Sequence, residues 1–108
     1  MWNKYKNIKT SYNGRTYDSK KEAVRAAELA MLQRTGVISD LQEQVRFEVV
    51  PKTDGERAVT YVADFVYTES GKRIIEDVKS PITRKDKAYI IKRKLMKWRY
   101  ADYVFRES

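Results

Sequence analysis

The sequence predicts a mixed α/β domain: a four-stranded sheet flanked by helices, with elements in the order αβββαβ. Three observations carry this. A capped helix pattern precedes the β-rich part, two strongly β-forming runs flank a Ser-Gly turn, and a long basic helix leads into a last short strand. At 108 residues the chain is long enough for one core without disulfides or structural metal.

Residues 1–17 read as a basic N-terminal arm ending in a short hairpin, and 18–108 as a single domain. Asn13-Gly14 supplies the pair that a type I′ turn favours. Ser19 and Glu22 have the spacing of a capping box, so the first helix is expected from Ser19 to Arg34, ending at Gly36. A strand follows within Val37–Val50, best defined at Val45–Val49. Asp54-Gly55 marks a turn. Val59–Tyr67 and Arg73–Lys79 form a hairpin about Ser70-Gly71. One helix is expected over Thr83–Arg99. On its wheel Ala88, Ile91, Leu95 and Trp98 form an apolar face, with Arg93 and Lys97 roughly opposite and Lys87 and Lys94 at its edge. Tyr103–Phe105 makes the last strand, joined to its neighbour through a helix and so expected to be parallel to it.

Composition excludes much chemistry. The chain has no His and no Cys, which removes zinc fingers, Ser-His-Asp or Cys-His catalysis and disulfide frameworks. Any metal must sit among carboxylate and carbonyl oxygens, the ligands of magnesium, manganese or calcium. Lys and Arg number 23 against 15 Asp and Glu, a net charge of +8, so a polyanion such as nucleic acid is the expected partner. No apolar run approaches the roughly 18–20 residues of a membrane span, and the first ten residues lack a signal-peptide core. A cytoplasmic location and no membrane partner are therefore expected.

The hairpin locates the chemistry. If Ser70-Gly71 is a two-residue turn, Glu69 pairs with Lys72 and Asp64 falls opposite Asp77. Alternation places Asp64 with Val62 and Val66, and Asp77 with Ile75 and Lys79, on one face, expected to lie under the first helix. Two carboxylates facing each other among apolar neighbours repel, and a bound cation relieves that. The plainer alternative is a solvated face on which Lys79 and Arg73 offset the charge. Glu76 points to the other face with Ile74 and Val78. Glu22 is explained by its cap, yet it shares a stripe with Ala26 and Leu29 that would carry it over the same end of the sheet.

These residues resemble the PD-(D/E)XK nuclease superfamily, whose members carry an acid on one strand, an acid-X-Lys triplet on the next and often a Glu on the preceding helix. Asp64 in YVADFVY, Asp77-Val78-Lys79 in IIEDVKS and Glu22 in DSKKEA match this pattern, with Ala63 where the family's Pro would stand. From about residue 7 onward the chain is similar to a small phage and prophage family of a domain of unknown function. The resemblance implies a restriction-endonuclease-like core and magnesium- or manganese-dependent endonuclease activity on DNA, such as branched or replicating phage DNA in the host cytoplasm. It implies Asp64, Asp77 and the Val78 carbonyl as metal ligands and Glu22 as a ligand through water. Lys79 would orient a water, and Gln44 would do the same unless it is only an edge-strand polar residue.

Lys20 and Lys21 beside Glu22, and Arg84, Lys85, Lys87, Arg93, Lys94 and Lys97 along the second helix, are the candidate DNA contacts; a solvated charged face is the alternative. Tyr5, Tyr12 and Tyr17 would reach sugar or bases if they are not simply packed. Cutting both strands implies a homodimer, for which the arm is a candidate element. A non-catalytic nucleic-acid-binding domain is the competing expectation, and a module of a larger assembly a third.

Overall fold

The computed structural model describes residues 9–108. Residues 1–8 of the expected arm, with Tyr5, lie outside the described residues. Strands β1 (Thr10–Tyr12) and β2 (Arg15–Tyr17) pair antiparallel about Asn13 and Gly14, whose φ values of 52° and 76° are the left-handed pair a type I′ turn requires.

Helix α1 (Lys20–Arg34) starts where the capping pattern puts it: the Ser19 hydroxyl accepts the Glu22 N–H at 3.1 Å. The four strands β3 (Ser39–Val50), β4 (Val59–Glu69), β5 (Lys72–Asp77) and β6 (Val104–Glu107) form one sheet in that order. The first three run antiparallel and β6 lies parallel to β5, so the predicted αβββαβ core is present. The β4–β5 register is the expected one: Glu69 pairs with Lys72 across Ser70 (φ 52°) and Gly71 (φ 77°).

The single helix expected over Thr83–Arg99 is two: α2 (Pro81–Arg84) and α3 (Lys87–Arg99). Asp86 breaks it by leaving the helical conformation and capping α3, its carboxylate accepting the Tyr89 N–H at 3.2 Å. The wheel is also corrected. Tyr89 and Met96 face the core, whereas Ile91 and Trp98 are 59% and 76% exposed. A tyrosine can bury its ring and keep a partner for its hydroxyl, here Glu107.

Helices cover opposite faces of the sheet. Under α1, Ala26 and Leu29 pack on Phe65, Tyr67 and Ile74; under α3, Met96 joins Phe47, Tyr61, Ala63, Val66 and Ile75. Tyr61 and Ala63 thus face α3 while Phe65 and Tyr67 face α1, although strict alternation would keep all four together. Strand β3 does the same: Leu41 packs toward α1, and Val45, Phe47 and Val49 toward α3. The ladder stays in step across this point, with Glu43 opposite Phe65 and Val45 opposite Ala63. Both strands therefore turn over together at Gln44, whose φ is 55°, and Asp64. The expectation that α1 covers Val62, Val66 and Ile75 fails for this reason: α3 covers Val66 and Ile75, and Val62 is exposed. Among the described residues no helix is long and apolar enough to cross a membrane.

Candidate functional site

The turnover at Asp64 opens one end of the sheet beside the first turn of α1. A cleft of about 180 Å³ lies there, with Glu22, Asp64, Val78 and Lys79 on its walls beside Lys21 and Asp18. Glu22 and Asp64 are 7% and 8% exposed. Asp77 is behind the cleft wall rather than on it, and fully buried. Its Oδ1 accepts the Asp64 N–H at 3.0 Å, and Asp64 Oδ2 accepts the Val78 N–H at 2.8 Å. The two carboxylates are therefore laced across the hairpin, each held by the other strand's backbone. Gln44 donates to Asp64 Oδ1 at 3.5 Å, so the residue with left-handed backbone stands at the site.

Electrostatics mark the cluster as short of positive charge. Burial, and then the neighbouring Asp64 carboxylate, push the Glu22 carboxyl up to about 8; Lys79 opposes this. Burial pushes Asp77 up to about 6, against the pull of Lys79 and the Asp64 N–H. Asp77 Oδ2 is buried with no hydrogen-bond partner among the described residues. An orphaned carboxylate oxygen behind two crowded acids is a donor set that a hard divalent cation fits. Among the described residues no three acidic side chains are gathered as a ready-made ligand cluster. A cation there would be held by Asp64 and Asp77 with the Val78 carbonyl, and by Glu22 beside them.

Lys79 is placed just past β5 rather than within it as expected, its N–H donating to the Ser108 carbonyl at 3.2 Å. Ser108 in turn donates its N–H to the Asp77 carbonyl at 2.8 Å. The Lys79 ammonium sits 5.3 Å from the centroid of the Tyr89 ring. Glu76 does not line the cleft and shares its face with Ile74 and Val78 as parity predicts, but that face lies under α1 rather than away from it as expected. It is fully buried, accepting Arg25 Nε at 2.6 Å, Arg25 Nη2 at 3.0 Å, the Tyr67 hydroxyl at 2.5 Å and Ser108 Oγ at 2.8 Å. These bonds hold its carboxyl below the usual range despite burial. The pair ties α1, one turn after Glu22, to β5 beside Asp77.

Sequence reasoning missed Tyr89, Arg25, Asp18 and Ser108. Asp18 stands next to the cap and was open to inference. No sequence pattern announces the Arg25–Glu76 pair. Of the expected DNA contacts, Lys20, Lys21, Lys85, Lys87, Lys94 and Lys97 are exposed. Lys21 lines the cleft and donates to the Lys79 carbonyl at 3.4 Å. Arg84 and Arg93 are turned inward. Arg84 donates to the Ser108 carbonyl at 3.2 Å, and Arg93 pairs with Glu107 at 3.0 Å. Tyr17 is buried, donating to Glu43 at 2.7 Å, and Tyr12 packs against the α1 core.

The class so defined is a small mixed α/β domain carrying a buried carboxylate–lysine cleft at one end of its sheet. The chain belongs to the family described as Protein of unknown function (DUF1064), whose model matches residues 2–106. No curated protein matches it.

Proposed function

We propose that this chain is a divalent-metal-dependent DNA endonuclease of the PD-(D/E)XK type. The observation that carries the reading is the convergence of Glu22, Asp64 and Lys79 on one cleft, with the unpaired Asp77 oxygen buried behind it. Magnesium or manganese, when bound, supplies charge neutralisation at a phosphate and acidity at a water. The chain's own groups do the rest. Asp64 and Asp77 hold fixed negative charge at the hairpin, Lys79 offers a compact ammonium to an incoming water or phosphate oxygen, and Lys21 adds charge at the rim. The net charge of +8 draws the polyanion in.

The test is a panel of linear, nicked, flapped and four-way DNA, incubated with magnesium, manganese or chelator. Cleavage with metal, falling roughly 10²-fold or more in Lys79→Ala while DNA binding persists, supports the reading. Lys79→Arg should not restore it, since a planar guanidinium does not replace a compact ammonium. That no three acidic side chains are gathered among the described residues favours the second reading, a DNA-binding domain without chemistry. Binding without cleavage of any substrate, with either metal, would select it.

A further inference from the structure

Helix α3 presents part of its wheel's apolar stripe to solvent. Ile91 and Trp98, seven residues apart on one face, are exposed, with the half-buried Leu95 between them packing on the core, and Trp98, at 76% exposed, stands proud of the surface. Apolar side chains left uncovered on one helix face call for an occupant. The charge around it says which kind. The segment KAYIIKRKLMKWR holds six cations and no acid, and Lys87, Lys92, Lys94 and Lys97 make no ion pair among the described residues. A second copy of this helix would be repelled. Beside Trp98 a cleft of about 550 Å³ opens among Val50, Pro51, Leu95 and Arg99, large enough for a planar ring system. A helix that holds six cations and no acid beside an exposed indole suits a polyanion that carries aromatic bases.

We propose that the outer face of α3 is a stacking platform for the unpaired bases of a single-stranded nucleic acid. Trp98 takes a base, and the unpaired lysines follow the backbone. The platform and the cleft share one helix. Tyr89, against which Lys79 rests, is nine residues from Trp98, about 13 Å along the axis. A strand with its phosphate at the cleft and unpaired bases a few nucleotides away would engage both. The assignment of substrate, DNA with a single-stranded segment, rests on the proposed nuclease reading; the binding face itself does not.

The probes are fluorescein-labelled dT12, rU12 and a 12-base-pair duplex, titrated in chelator so that no hydrolysis intervenes. Trp98 is one of two tryptophans, so a Trp2→Phe background isolates its emission. Binding of dT12 or rU12 should quench that emission, the better ligand telling which sugar is preferred. Trp98→Ala should weaken single-strand binding roughly 5- to 100-fold, the range for one stacked base, and change duplex binding less than about 2-fold. The slope against salt should stay as it was, because no phosphate contact is lost. Trp98→Phe should keep most of the affinity. An unchanged thermal midpoint in Trp98→Ala shows that folding is not the cause. Equal losses on single strand and duplex, or none, overturn the proposal. So does quenching by an acidic leucine-rich peptide where neither oligonucleotide quenches. If single-strand binding depends on Trp98 but no DNA is cut with any metal, only the nuclease reading falls.

Discussion

The ammonium of Lys79 rests 5.3 Å from the centroid of the Tyr89 ring, so the lysine of the cleft is steadied by a residue from the opposite face of the sheet. Tyr89 is itself fixed: its hydroxyl donates to Glu107, which pairs with Arg93 at 3.0 Å. Burial, then the Glu107 bond, raise the phenol well above its usual range, so it stays protonated and its ring keeps a neutral face toward the cation.

Removing that ring should matter to the chemistry more than to binding. Tyr89→Leu is expected to lower the cleavage rate roughly 3- to 30-fold with little change in KM, the size of a desolvated cation–π contact. Tyr89→Phe keeps the ring and should retain more of the rate. In NMR spectra the Lys79 ε-methylene resonances should lose their aromatic ring-current shift in Tyr89→Leu and keep it in Tyr89→Phe. Resonances that do not move would show that the two side chains are not stacked in solution.

Metal should stabilise the fold. A cation bound only by the folded protein adds about 2.7 kcal/mol at 100 times its Kd, worth about 10 °C in Tm for a domain of this size. Asp77→Asn keeps an acceptor for the Asp64 N–H but loses the anionic oxygen, so the magnesium-induced shift should vanish. A shift of the same size in that variant would place the ion elsewhere.

The raised carboxyls make a signed prediction about pH. Glu22 rises from 4.5 to about 8 and Asp77 from 3.8 to about 6, so the folded state holds both protons more tightly than the unfolded chain. Their contribution is present in full below the unfolded values and is lost as pH climbs through the folded ones. Glu76 and Glu107 are shifted downward, and their contribution is lost on acidification. In chelator, stability should therefore fall as pH rises from about 6 to about 8, and saturating magnesium should remove that fall. Urea denaturation across this range measures it; a flat or rising profile in chelator would contradict the charge-starved cluster.

Arg25 should prove structurally indispensable. It is the cation beside the fully buried Glu76, and deleting one partner of such a pair typically costs about 3–5 kcal/mol. Arg25→Ala is expected to lose about that much in denaturant unfolding. Replacing both Arg25 and Glu76 with apolar residues should recover part of it. A loss below about 1 kcal/mol in the single variant would mean that Tyr67 and Ser108 suffice.

Local chemistry explains which features could be read in advance. The Ser70-Gly71 turn sets the β4–β5 register by itself, which is why Asp64 could be placed opposite Asp77 and Glu76 turned away. Ser19 announced its helix in the same way. The turnover at Gln44 and Asp64 is tertiary: nothing about a glutamine in a β-rich run demands a φ of 55°, and parity counted through it assigns the wrong helix to the face. The wheel of α3 misled at Ile91 and Trp98, which are exposed, while Leu95 packs on the margin of the core. The core itself takes Tyr89 and Met96, whose neighbour Arg93 reaches Glu107.

Ser108 has a consequence for biosynthesis. It bonds to Asp77, Lys79, Arg84 and Glu76, so a residue just past β6 braces the backbone behind a cleft whose own walls come from earlier in the chain. A nascent chain holds every cleft side chain well before β6 has left the ribosome, yet lacks the clamp on Asp77 and Lys79. A chain stalled short of β6 would carry the acids laced across the hairpin, but without the brace that Ser108 gives to Asp77, Lys79 and Glu76.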